Sequence, residues 1–327
     1  MRPALWILLV LAVFSAKAQV TINESICECA SYSTLQFLNE YRDIFPPDLM
    51  KRNKVKEITV LITPKKRSDV KADTAQLIVR KAIIPEYTEM KFWMNADGLV
   101  SKRRWYNRNG IPHSEITYQR DQQKHVTLST FIYLDSLGNE SMFEGRPIQR
   151  TYNDFFYDSK GRLVKIKERD WDGKIQPDNK SVYAAYTYDK KDRVIKEVHH
   201  YYYDFNAAAE SVNESVIEYP DMLSSQTTST NDGAPWLTET TKYNAAMKPL
   251  RNQMFYNGST QPAKEDTYSY DDKGRLTVHE QKASGIADEC PEGANYKDEY
   301  FYDDRGLVTT IKHSYKEFTC VIRFEYK

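Results

Sequence analysis

Residues 268 to 276 read Tyr268-Ser269-Tyr270-Asp271-Asp272-Lys273-Gly274-Arg275-Leu276, and the rest of the chain is best read outward from them. Tyr268 and Tyr270 stand two apart, so on an extended strand their rings share one face. Asp271 can accept hydrogen bonds from the backbone of a following turn, and Asp272 and Lys273 suit its central positions. Gly274 supplies the positive φ that a type I turn followed by a bulge requires. Arg275 and Leu276 open a return strand. These nine residues predict the tip of a β-hairpin.

Three further segments align with this one without gaps: Phe155 to Leu163, Tyr186 to Val194, and Tyr300 to Val308, the last with Leu307 in place of the arginine. Their turn residues are Asp158, Gly161, Asp189, Asp271, Gly274, Asp303 and Gly306. Weaker copies begin at Phe92, Phe131, Ile217 and Thr241. The aromatic before each turn marks the period: Tyr133, Tyr157, Tyr188, Tyr219, Tyr243, Tyr270 and Tyr302 are spaced by 24, 31, 31, 24, 27 and 32 residues. A unit of that length holds two strands and two turns. One hairpin cannot bury its own apolar face, so the units must stack edge to edge.

The pattern Tyr-x-Tyr-Asp-x-x-Gly-Arg-Leu resembles the YD repeat of RHS-type proteins, and the chain is similar to repeat-bearing exported proteins of Bacteroidetes type. The resemblance is strong at the four segments above and diffuse over residues 92 to 327. It implies an exported or cell-surface protein built on long antiparallel sheets that coil into a shell or solenoid. The expected fold class is therefore all-β: an antiparallel hairpin-repeat sheet running as an open meander or solenoid, with one short N-terminal capping helix.

The N-terminal region reads differently. Arg2, the apolar run Ala4 to Phe14 and the small residues of Ala16-Lys17-Ala18 form the three parts of a signal peptide, with cleavage expected after Ala18. The expected division is a signal peptide at 1–18, an N-terminal cap at 19–90 and YD-like hairpins at 91–327. Within the cap, Leu35, Leu38, Tyr41 and Phe45 are at helical spacing, and Pro46-Pro47 stops the helix expected over residues 31–45. Strands are expected over Val55 to Thr63, Gln76 to Ile84 and Glu89 to Asn95.

Composition narrows the functional classes. The chain carries 46 bases and 46 acids, and loss of Arg2 and Lys17 with the leader leaves it slightly acidic. Such a balance exerts no general pull toward nucleic acid. No later segment approaches the roughly twenty apolar residues of a membrane-spanning helix, so the mature protein is expected not to span the membrane. Four cysteines in an exported chain are disulfide candidates: Cys290 with Cys320 is the preferred pair, with Cys27 and Cys29 joined to each other or free, or alternatively tied to the two distant cysteines.

The motifs of nucleotide binding, acyl transfer and zinc hydrolysis are missing from the sequence, and neither a catalytic residue, a metal site nor a cofactor is expected. His199 and His200 are adjacent, so on a strand they point to opposite faces and cannot chelate one ion. Binding rests on the tryptophans. Trp171 and Trp236 sit beside glycine and proline in expected loops, where a ring can stack on a sugar or anchor a protein, with Trp93 and Trp105 as further candidates. The leading expectation is a non-catalytic secreted or envelope protein that binds a glycan or an extracellular protein along an exposed aromatic face. The alternatives are a structural component of a surface assembly, and a glycoside hydrolase using a carboxylate pair roughly 5 to 10 Å apart.

Overall fold

The computed structural model describes residues 45–66, 86–143, 146–147, 150–169, 173–174, 182–201, 211–284, 295–315 and 318–327. These residues form one short helix, α1 (Pro47–Arg52), and twenty strands. The first nine are β1 (Glu57–Lys66), β2 (Tyr87–Met94), β3 (Val100–Tyr106), β4 (Pro112–Arg120), β5 (Val126–Tyr133), β6 (Met142–Phe143), β7 (Arg146–Pro147), β8 (Arg150–Tyr157) and β9 (Leu163–Glu168). The next six are β10 (Val182–Tyr188), β11 (Val194–Tyr201), β12 (Ser211–Asp221), β13 (Ser224–Asn231), β14 (Ala234–Tyr243) and β15 (Pro249–Tyr256). The last five are β16 (Lys264–Tyr270), β17 (Leu276–Ala283), β18 (Tyr296–Tyr302), β19 (Val308–Tyr315) and β20 (Phe318–Tyr326).

All but β6 and β7 belong to one 18-stranded sheet in which neighbours pair antiparallel. The sheet is closed. β1 pairs with β2 on one side and with β20 on the other, the latter over Ile58 to Lys66 against Phe318 to Tyr326. The seam continues past the ladder, where the Lys56 amide donates to the Lys327 carbonyl and the Lys327 amide to Glu57 O. The expected open meander or solenoid is therefore overturned, and with it the idea of a helix capping an open end. The physical reason is the edge: an open sheet this long presents two rows of unpaired backbone groups, and closure removes both.

The helix expected over residues 31–45, the strand at 76–84 and the signal peptide lie outside the described residues, apart from Phe45. The two prolines that stop a helix on their N-terminal side begin another, because Pro47 occupies the first turn of α1, where its missing amide hydrogen costs nothing.

The two faces of the ring differ. Ile58, Val60, Ile62, Met90, Phe92, Ile311, Ile322 and Phe324 are buried and share one face, with mostly less buried residues such as Lys91, Lys312, Arg323 and Glu325 between them. On the same face, round the far side of the ring, Ala184, Ser225, Ser229, Asp266, His279 and Gln281 are also buried, with no described element lying over them. The opposite face buries only a few side chains, such as Thr59, Glu115 and Asp154, so the face with the many buried residues is the concave inside of the barrel. The outward positions carry Lys91, Lys102, Arg104, Glu299, Lys312, Arg323 and Glu325. From β18 through β20 and β1 to β3 the inside carries an apolar cluster, interrupted by Asp298, His313 and Arg103, on which α1 packs with Met50 fully buried and Phe45 set edge-on to Phe92, Phe324 and Tyr326. Each such side chain contributes about 1.5–3 kcal/mol on burial.

The repeat has a mechanical meaning that the motif alone does not show. The turns after β8, β10, β16 and β18 place Asp158, Asp189, Asp271 and Asp303 where one carboxylate oxygen accepts two backbone amides, as at Lys160 and Arg162. Asn95, Asn107, Asp135 and Asn244 do the same in other turns. The motif tyrosines then tie each hairpin to the previous one. Tyr188 Oη donates to Leu163 O at 2.7 Å, Tyr219 to Val194 O at 3.0 Å, Tyr302 to Leu276 O at 2.8 Å and Tyr326 to Val308 O at 2.6 Å. Tyr157 and Tyr270 make the equivalent bonds to Val126 O and Pro249 O. The motif arginine completes the joint. Arg162, Arg193 and Arg275 each hold their own turn aspartate through Nε and lie over the next hairpin's tyrosine at 4.6, 3.9 and 4.5 Å.

Candidate functional site

Because the ladder register is known, the inner wall can be read strand by strand. From β13 to β18 one row runs Ser225, Thr241, Asn252, Asp266, Gln281 and Tyr296, and the next runs Thr227, Glu239, Met254, Lys264 and Ala283. From β10 to β13 the row is Tyr186, Glu197, Ser215 and Ser229, with the two serine hydroxyls 2.8 Å apart. This half of the wall is hydroxyl, amide and carboxylate set among tyrosines. Tyr186, Glu197, Ser215, Thr227, Glu239 and Asn252 are only half-buried, so the space they line is open to solvent.

Two aspartate–histidine pairs close the polar wall on its C-terminal side. His279 Nε2 lies 2.9 Å from Asp266 Oδ1, with the imidazole stacked on Tyr268 and edge-on to Tyr296. Two strands further, His313 Nδ1 lies 2.6 Å from Asp298 Oδ1, and the register sets His313 opposite Cys320. Both imidazoles are buried, and His279 is 0% exposed, so the pairs serve as struts of the wall.

Several ionisable side chains are displaced by their surroundings. Burial pushes the Glu239 carboxyl above the usual range; Lys264 opposes the shift, and Asp266 and Glu197 add to it. Burial alone does the same to Glu168. The Glu89 carboxyl is pushed up to about 7 by burial, against the pull of Arg108. Burial also lifts the Tyr302 hydroxyl to about 12, which keeps it a donor to Leu276 O.

Across the ring, the wall from β2 to β5 is different. Phe92, Arg103, Ile116 and Phe131 form one row. The Arg103 guanidinium lies 4.7 Å from the Trp105 ring centre and 5.9 Å from that of Tyr118. Its Nε is buried without a hydrogen-bond partner, as are Nε and Nη2 of Arg108 in the β3–β4 turn.

The four tryptophans are not brought together. Trp93 faces outward beneath Lys102 at 4.3 Å and Arg104 at 5.9 Å. Trp105 faces inward and packs on the apolar cluster. Trp236 is 40% exposed near the start of β14, and Trp171 lies outside the described residues. The aromatic face that the motif suggested as an exposed binding surface is the inside of the barrel. Of the cysteines, Cys320 is buried on β20, while Cys27, Cys29 and Cys290 lie outside the described residues. His199 sits edge-on to Tyr186 on the inner wall, and burial beside His199 lowers the pKa of His200. No group of three or more metal-ligating side chains occurs among the described residues.

Sequence reading passes over the inner-wall acids and the histidine pairs, and it takes Lys102 to Arg104 together as a basic run that either meets an anionic polymer or is simply solvated. One signal could have found some of them: Asp266 and Asp298 each stand two residues before a motif aromatic, Tyr268 and Tyr300, and so share its face.

No family model matches the chain, and no curated protein does. The YD-repeat resemblance therefore rests on its motif residues. Among solved structures the chain is similar to a porin-like protein from Bacteroides vulgatus, at 10% identity and TM-score 0.30 over 55% of this chain and 94% of that one. It is also similar to a porin-like protein from Bacteroides uniformis, at 9% identity and TM-score 0.23 over 84% of this chain and 96% of that one. A third likeness, to TcdB2-TccC3 without its hypervariable C-terminal region, has 13% identity and TM-score 0.14 over 69% of this chain and 15% of that one. Scores of this size carry no functional argument, and function must be sought in the site itself.

Proposed function

We propose that this chain is a non-catalytic protein of the cell envelope or extracellular space that binds a carbohydrate chain against the inner wall of its barrel. The observation that carries this reading is the half-buried wall from β10 to β15, where the Tyr186 ring stands beside the carboxylate, hydroxyl and amide groups of Glu197, Ser215, Glu239 and Asn252. Sugars present apolar C–H faces and hydroxyls together, and a wall of this mixture meets both. The signal-peptide pattern at residues 1–18 supports the compartment.

The outward positions support a barrel that stands in water. A barrel crossing a membrane by its strands turns an apolar band outward, whereas here Lys297, Glu299, Lys312, Arg323 and Glu325 lie on that side of β18 to β20. Among the described residues no helix is long and apolar enough to cross a membrane.

The test is a screen of soluble polysaccharides against the mature chain, beside Glu239→Gln, Asn252→Ala and Trp236→Ala. Binding lost in the two inner-wall variants and kept in Trp236→Ala places the sugar inside. Binding lost only in Trp236→Ala moves the site to the rim. Release of reducing ends from a bound polymer would replace this reading with a hydrolase using Glu197 and Glu239.

A further inference from the structure

Resting on the carbohydrate reading above, we infer that the sugar chain is acidic, and that Arg103 on the inner wall of β3 receives its carboxylate or sulfate groups. The argument starts from one strand with two faces. On the outside of β3, Lys102 and Arg104 both reach Glu115, at 3.5 and 2.6 Å. On the inside, Arg103 has no carboxylate within ion-pair distance among the described residues, and its guanidinium rests on the faces of Trp105 and Tyr118. Its buried Nε has no acceptor. A buried donor left unpaired costs about 1–3 kcal/mol, so the position is unfavourable for a purely structural arginine and suited to one that receives an anion.

The surroundings say which kind of anion. A guanidinium offers a planar fork of donors matched to carboxylate and to the oxygens of sulfate. The two aromatic rings hold that fork in place, so little side-chain freedom is lost when it binds. Arg108, in the turn that ends β3, has buried donors without hydrogen-bond acceptors too, but it lies within the electrostatic reach of Glu89, so the anion falls to Arg103. Counting round the ring from β1, β3 is the third strand and β14 the twelfth, half a circuit away. Half a circuit of an 18-stranded barrel is wider than one sugar ring, so a polymer whose acid group meets Arg103 lies along the wall of β2 to β5, and the wall around Glu239 faces it across the lumen. The carboxylates there discourage a second anionic group and favour sugar hydroxyls, which donate to them. The barrel thus presents one guanidinium set among aromatic and apolar side chains on this wall, and a hydrogen-bonding wall on the far side of the lumen.

The probes are a neutral glucan, a neutral xylan, a polyuronate and a sulfated galactan, with inorganic sulfate as a fifth. Each is titrated by calorimetry into the mature wild-type chain, Arg103→Gln, Arg103→Lys and Lys102→Gln, at low and moderate salt. An acidic polymer should bind at least ten-fold tighter than the neutral ones. Arg103→Gln should erase that preference, Arg103→Lys should restore part of it, and Lys102→Gln, on the outside, should leave it intact. Polyuronate and sulfated galactan separate the two acid chemistries, and strong binding of inorganic sulfate alone would show an anion site without a sugar site. Equal binding of neutral and acidic polymers, or a preference that survives Arg103→Gln in a variant with an unchanged melting temperature, overturns the inference and leaves the carbohydrate reading standing. Absence of binding to every polymer overturns both.

Discussion

At the scale of single residues, the joint between neighbouring hairpins is a tyrosine hydroxyl, a carbonyl and an arginine. Tyr302 donates to Leu276 O while Arg275 covers its ring. Tyr302→Phe keeps the ring and removes one hydrogen bond, so it should cost about 1 kcal/mol in urea unfolding, with the native β-sheet signal unchanged. A second residue-scale expectation concerns Glu89, whose carboxyl is pushed up to about 7 in the folded chain from 4.5 by burial. The folded state then binds the proton more tightly than the unfolded chain does. Burial of the charged form is penalised above pH 7, and the penalty fades as the pH falls from 7 toward 4.5. Glu89→Gln should therefore stabilise the protein by about 2 kcal/mol at pH 8, after discounting for partial exposure, and by much less at pH 5. Unfolding curves at the two pH values check both sign and window.

At the scale of elements, the turns and α1 depend on close approach. Gly98, at φ +75, lies so near α1 that an added Cβ would fall 2.2 Å from Pro47 O and 2.7 Å from Lys51 N. Gly110 has a similar φ of +74 with nothing within 4 Å. Gly98→Ala should thus cost about 3 kcal/mol and Gly110→Ala only about 1 kcal/mol, the second being backbone strain alone. Met50→Ala, at a side chain with 0% exposure, should cost about 3 kcal/mol by opening a cavity beneath the helix. The turn carboxylates respond to acid. Hydrogen bonds from Arg162, first from its guanidinium and then from its backbone amide, hold Asp158 below the usual range, and Asp189 is lowered by its bonds from Arg193. Their stabilising effect is present at neutral pH and is lost as the pH falls through these lowered values, so acid unfolding should begin at the motif turns. Hydrogen exchange of the Arg162 and Arg193 amides follows it directly.

At the scale of the whole molecule, closure between β1 and β20 governs behaviour. The amides on both sides of this seam should exchange as slowly as those within the β18–β19 ladder, since neither strand is an edge. Removal of residues 318–327 would leave β1 and β19 each with an unpaired side, and the chain should then elute from gel filtration as aggregates. The sequence by itself determined the hairpin: Tyr-x-Tyr-Asp-x-x-Gly-Arg contains the strand alternation, the capping aspartate and the left-handed glycine, all of them interactions within about ten residues. It determined the spacing of the units and the tyrosine-rich face for the same reason. Which side of the sheet that face occupies, and that the sheet ends on itself, were decided only by the tertiary structure. The pairing of Ile58 with Tyr326 joins residues 268 positions apart, and no local pattern states whether the last strand finds the first. Arg103, Glu239 and the histidine pairs became legible as parts of one inner surface only once closure had turned their shared face inward.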